Sequence, residues 1–283
     1  MEASEPFRLD SRELGGLPIV CHFLARAEFG ALLSRYLPAC DSRLRLSPAE
    51  SIGVVVRNLC LGREPVYGLG EWASRFEPGL LGLGREQRGA LNDDRVGRAL
   101  ECLFDADRAS LLTELMLAVV AEFELDLCQL HNDSTSITFS GAYAQADGRP
   151  RGGKPTPAIT FGHNKDHRPD LKQLLWILTV CADGAVPLAY RSAAGNMTDD
   201  QTHVATWDGL AALCGRADFL YVADSKLCTH EAMAHIHARG GRFVCVMPRS
   251  RKEDAFFRDW AQSNHPDWVD ATRRLPRSQG DPD

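Results

Sequence analysis

No two of the nine cysteines in this 283-residue chain lie closer than 14 residues. That excludes the CxxC spacing of a zinc ribbon or a dithiol redox motif. Most of the cysteines sit inside apolar runs, where the thiol behaves as a small hydrophobe. No apolar run reaches 18 residues, and the N-terminal MEASEPFRLDSREL is too polar for a secretory leader. A soluble cytoplasmic protein is therefore expected. Lysine is scarce, 5 residues against 27 arginines, and the net charge is -6. Nothing global advertises nucleic acid, so any such binding must come from local patches.

What is present is a 44% hydrophobic chain, enough to bury a core for one large or two ordinary domains. Residues 15 to 122 read as helical. SPAE at 47–50 is a capping box: Ser47 caps, Pro48 fits the first turn and Glu50 reaches back to the cap amide. Ile52, Val55, Val56, Leu59 and Cys60 follow at helical spacing, and Gly62 stops the run. Asn92 opens another helix, a third covers Ala109 to Phe123, and the Gly-rich stretch from Pro78 to Gly89 reads as a loop.

The pattern then changes. LDLCQLHND and ITFSGAY predict two adjacent strands joined near Asp133. LKQLLWILTVCADGAVPLAYRSAAG predicts a hairpin turning at ADG. TDDQTHVATWDGLAALCG predicts a helix capped by Thr198 and closed by Gly215. FLYVAD, THEAMAHIHARGG and RFVCVMP make a βαβ unit with parallel strands. The last 35 residues open as an amphipathic helix. The organisation is a helical domain over 1–123, an α/β core over 124–248 and a further segment over 249–283.

Asp133 and Asp224 each follow a predicted core strand, 224 − 133 = 91 residues apart. If those strands are neighbours, both carboxylates emerge at one edge, where a divalent cation relieves their repulsion. The same positions also suit turn formers and helix caps. From Asp147 to Lys172 there are 6 Lys/Arg against 3 Asp. Lys165, His167, Arg168 and Lys172 are its candidate phosphate contacts, and a merely solvated loop fits the composition equally. His163 and His167 are four apart, but Pro169 disfavours a helix through Arg168, which argues against a zinc pair.

Four ordered blocks carry a resemblance: HNDSTSI (131–137), GHNKDHRPDLKQL (162–174), AGNMTDDQTH (194–203) and YVADSKL (221–227). They resemble insertion-sequence DDE transposases, in the branch with a helical N-terminal domain and an RNase H-like core interrupted by a β-rich insertion. The resemblance implies an α/β fold with a mixed sheet and flanking helices. It makes Asp133 and Asp224 the first two catalytic acids and ligands of Mg²⁺ (or Mn²⁺). It implies cleavage at the transposon end followed by strand transfer. It also implies DNA partners, terminal inverted repeats and target, with a homodimer or association with full-length transposase, and no membrane. The family's third acid has no matching motif here: Glu231 and Glu253 are the only glutamates after Asp224, and neither lies in such a block. The chain is thus expected to be C-terminally truncated and inactive alone. The alternative is a non-catalytic DNA-binding or inhibitory remnant.

Overall fold

The computed structural model describes residues 11–38, 45–87, 89–162, 168–198 and 202–264. Ser47 accepts the Glu50 amide at 3.2 Å while Glu50 accepts the Ser47 amide at 2.7 Å, so the capping box forms. It starts α3 (Pro48–Leu61), which ends at Gly62 as the spacing predicts. Asn92 and Asp107 cap α5 (Asp93–Asp105) and α6 (Arg108–Glu122) through the amides of Arg95 and Ser110. With α1 (Leu17–Arg26), α2 (Phe29–Tyr36) and the short α4 (Leu69–Ser74), the described elements of residues 17–122 are helices and 3-10 turns, apart from an isolated bridge between Phe76 and Glu13. The Gly-rich stretch is two 3-10 turns, Pro78–Leu81 and Arg85–Gln87, rather than an open loop. Two clusters hold this region: Leu17, Val54, Trp72, Leu81 and Val96 in one, and Phe29, Leu33, Ile52, Ala99 and Leu111 in the other.

The second half builds one five-stranded mixed sheet in the order β3-β2-β1-β4-β5. Its strands are β1 (Gln129–Phe139), β2 (Lys172–Cys181), β3 (Pro187–Ala194), β4 (Leu220–Val222) and β5 (Arg242–Val244). The ADG hairpin forms as an antiparallel β2–β3 pair, and β4 and β5 run parallel to β1. α7 (His203–Cys214) lies between β3 and β4, α8 (His230–Ala238) between β4 and β5, and α9 (Lys252–Asn264) follows the sheet. One face of the sheet is buried against α7 and α8 by Leu130, Cys181, Trp207, Phe219, Tyr221 and Ile236.

Three expectations need correction. No break occurs at Asp133: β1 is one eleven-residue strand paired with β2 from Leu130 to Phe139. The polar residues that suggested a turn are inside the ladder, and Asn132 (5% exposed) is satisfied by the Thr179 hydroxyl at 2.9 Å. Second, α7 begins at His203 behind Thr202, not behind Thr198. Third, β4 and β5 are three residues each, shorter than FLYVAD and RFVCVMP, because the chain turns once it passes the sheet edge.

The 144–162 segment is fastened to the helical region by one lysine. Lys154 Nζ donates to the carbonyls of Phe104 (3.1 Å), Asp105 (2.5 Å) and Ala106 (2.7 Å) at the end of α5. Those carbonyls have no partner inside the helix, and a cation there also opposes the helix dipole. Arg151 adds an ion pair with Glu101 at 3.1 Å and lies over the Phe104 ring. Lys154→Ala is expected to lower stability by about 1–2 kcal/mol, read as a fall in thermal midpoint. Lys154→Arg should recover part of it.

No single described helix is long and apolar enough to cross a membrane; α1 and α2 pass only as a pair bent by 66°. Leu17, Phe29, Leu32 and Leu33 from that pair are buried in the protein.

Candidate active site

The residues of β1 alternate in burial, Leu130, Asn132 and Ser134 inward and His131, Asp133 and Thr135 towards the other face. The last β1–β4 rung pairs His131 with Val222. Asp133 and Asp224 stand two residues beyond those partners on parallel neighbours. The ladder thus ends two residues short of each acid at the same end of two parallel neighbours, with Asp133 continuing in β1 and Asp224 in the turn after β4. Both are exposed.

Each carboxylate is oriented by backbone. Asp133 Oδ1 accepts the Ser134 amide at 2.7 Å, and Asp224 Oδ1 accepts the Lys226 amide at 2.9 Å. The second contact makes Asp224 the cap of a 3-10 turn, Ser225–Leu227. Asp224 thus takes the capping role, one of the two readings that the sequence left open. Beneath it, the buried Tyr221 hydroxyl lies 3.1 Å from His203 Nδ1. Burial, and then the Asp224 charge, push this phenol well above its usual range, so it stays protonated.

The Asp224 charge reaches one neighbouring thiol, Cys245. Burial pushes Cys245 up to about 11, with the hydrogen-bonded Cys228 thiol adding to it, so Cys245 is a neutral thiol near neutral pH. Arg251 Nη1 donates to the Cys228 carbonyl at 3.1 Å, and the same guanidinium grips Glu253 at 2.8 and 3.2 Å. Hydrogen bonding from Arg251 holds Glu253 down at about 2. Glu253 is committed to that pair, and Glu231 is an exposed residue in the first turn of α8. Among the described residues no group of three or more His, Cys, Asp or Glu could hold a metal.

The basic stretch is only partly within the described residues; Lys165 and His167 lie outside them, as does His163. Arg168 binds its neighbour Asp170 in a two-pronged pair at 2.8 and 2.7 Å, which raises the arginine and depresses the carboxyl. Lys172 Nζ donates to the Ala142 carbonyl and lies 6.0 Å from the Phe161 ring centroid. His235, half-buried against Trp207, bonds Asp208 at 2.8 Å.

Sequence reasoning missed the company these acids keep. On the Asp133 face of the sheet stand Leu174, Trp176 and Leu178 of β2 and Tyr190 of β3. Trp176 and Tyr190 stack, 4.6 Å between centroids and 18° between planes. Alternation in YRSAA carries a trace of this, but the pairing that joins the two rings is set by register across a hairpin.

No protein-family model and no curated protein matches the sequence. Among solved structures the chain is similar to a piggyBac transposase synaptic complex with hairpin DNA, at 12% identity and a TM-score of 0.33. That alignment covers 89% of this chain and 46% of the other, so the chain spans less than half of that transposase. It is also similar to a Mos1 transposase paired-end complex with left transposon end, at 9% identity and a TM-score of 0.27, over 79% of this chain and 72% of that one. A Mos1 strand transfer complex aligns at 12% identity and 0.28 over 91% and 85%. Superposition at this level leaves the carboxylate geometry, rather than the neighbours, as the ground for a functional reading.

Proposed function

We propose that the chain is a DDE-type transposase of an insertion sequence, built for metal-dependent DNA cleavage and strand transfer centred on Asp133 and Asp224, with the third acid needed for full activity supplied by an associated full-length transposase. The reading is supported by the parallel β1–β4 register, which ends two residues before each acid, and by sequence blocks that resemble that family. The order of three antiparallel strands followed by two parallel ones also accords with the RNase H-like core that the resemblance implies.

Two exposed carboxylates offer hard oxygen donors. That suits Mg²⁺, which is often held by one or two carboxylates plus substrate phosphates and keeps several waters. When bound, Mg²⁺ supplies an activated water and stabilises the leaving oxygen in phosphodiester cleavage. The chain's own residues orient. The Ser134 and Lys226 amides fix one oxygen of each acid, and the buried Asn132–Thr179 bond locks the β1–β2 register on which Asp133 stands. Lys165, His167, Arg168 and Lys172 are the proposed phosphate contacts, with transposon ends and target DNA as partners. A homodimer, or association with a full-length transposase, belongs to the same reading.

The test is Mg²⁺-dependent nicking of end-bearing DNA by the purified chain, compared with Asp133→Ala. Nicking that survives the substitution would sink the assignment. End binding without nicking in either protein would leave the non-catalytic, inhibitory reading. A separate expectation concerns Arg168, whose fork Asp170 occupies in the DNA-free protein. Asp170→Asn should tighten DNA binding by about two- to fivefold at low salt, a gain that fades as salt rises. Arg168→Ala should weaken binding and make the salt dependence shallower by about one unit.

A further inference from the structure

An antiparallel sheet ordinarily turns polar side chains to its solvent side. Here polar residues are interrupted by large apolar ones, and Trp176, Leu178 and Tyr190 line a pocket with Leu112 and Met116 of α6. The row next to Asp133 along β1 runs Thr135, Trp176, Ser192 across the three antiparallel strands, and the row of Asp133 itself runs Asp133, Leu178, Tyr190. Tyr190 is 46% exposed although it is stacked on Trp176. Thr135 and Ser192, on either side of the tryptophan, are exposed as well. The result is an aromatic platform edged by two hydroxyls, on the face that carries Asp133.

We infer that the Trp176–Tyr190 pair is a seat for an unpaired nucleobase of the DNA held at Asp133 and Asp224. The inference rests on the proposed nuclease reading, and it adds a specific contact to it. Tyr190 stands two strands from Asp133, about 10 Å at the usual spacing. A phosphate at the acids can therefore place an adjoining base over the rings. Every base has a π-face, so stacking tolerates sequence. The hydroxyls of Thr135 and Ser192 can each donate or accept, so they meet any base edge without strong preference. The occupant is a single-stranded or locally opened nucleotide, because paired bases in a duplex do not offer a free face.

The experiment uses the full chain and a single-stranded oligonucleotide carrying 2-aminopurine, whose fluorescence is quenched on stacking. Trp176→Ala and Tyr190→Ala should each weaken binding about 5- to 150-fold, the range for loss of one stacked base, and abolish the quenching. Tyr190→Phe should keep both. Because Tyr190 is nearly half exposed, its variants report even where Trp176→Ala fails to fold. Wild-type affinity and quenching in Tyr190→Ala would overturn the inference alone, provided that Mg²⁺-dependent nicking is still lost in Asp133→Asn. No binding of the oligonucleotide by the wild-type chain would overturn it together with the nuclease reading.

Discussion

Asp133→Asn is expected to lose Mg²⁺-dependent nicking by on the order of 10³-fold or more, and Asp224→Asn to do the same. The double variant should be little worse than either single one, because acids that hold one ion act as a unit. Both residues are exposed, and neither contributes to the buried clusters. The fold should therefore survive, with stability changed by no more than about 0.5 kcal/mol. Binding to the native state alone supplies an independent readout. Mg²⁺ at about five times its dissociation constant should stabilise the wild-type chain by about 1 kcal/mol and the Asp133→Asn variant by much less. Thermal melts with and without the ion measure this without any reaction. Equal stabilisation of both proteins would place the ion elsewhere.

Trp207→Ala is expected to be the most damaging single change to stability, at about 3–5 kcal/mol. The indole is 1% exposed and joins α7 to the sheet through Phe219 and to α8 through His235, each about 6.0 Å away between centroids. Its six-membered ring also fills the space above Gly241, where an added Cβ would fall 2.6 Å from Trp207 Cζ2. The backbone at the end of α8 therefore sits directly on the indole. Removing it leaves a cavity bounded by three elements that cannot all close in. In a chain of this size the midpoint should fall by roughly 10 °C. A drop of only one or two degrees would mean that α7 and α8 repack, and that the indole is not the centre of this core.

Much of the architecture was legible because it is local. The capping box at Ser47, the Asn92 cap, the ADG hairpin and the βαβ alternation each depend on residues a few positions apart. The structure shows them all. The break foreseen at Asp133 failed for a long-range reason. Asn132 and Ser134 look like turn residues in a one-dimensional pattern, but Thr179, 47 residues away, provides the bond that lets Asn132 lie buried in a strand. Thr198 is not the cap because α7 begins only at His203, and Thr202 in the cap position makes no side-chain capping bond, so composition did not fix the start. For the site, both acids could be named from the ends of apolar runs. Their place at the same end of two parallel neighbours needed the β1–β4 register, and the aromatic pair beside them needed that of β2–β3.

The two acids differ in how stiffly they are held. Asp133 lies inside an unbroken ladder, paired opposite Leu178, whereas Asp224 lies past the last rung of β4 in a 3-10 turn. Backbone amides around Asp133 should exchange with deuterium only through large-scale opening, and those from Asp224 to Leu227 through local fraying. In the proposed site one carboxylate is therefore carried by rigid backbone and the other by backbone that yields. An ion bound as proposed would be met by movement of the turn that follows β4, with the central strand left undisturbed.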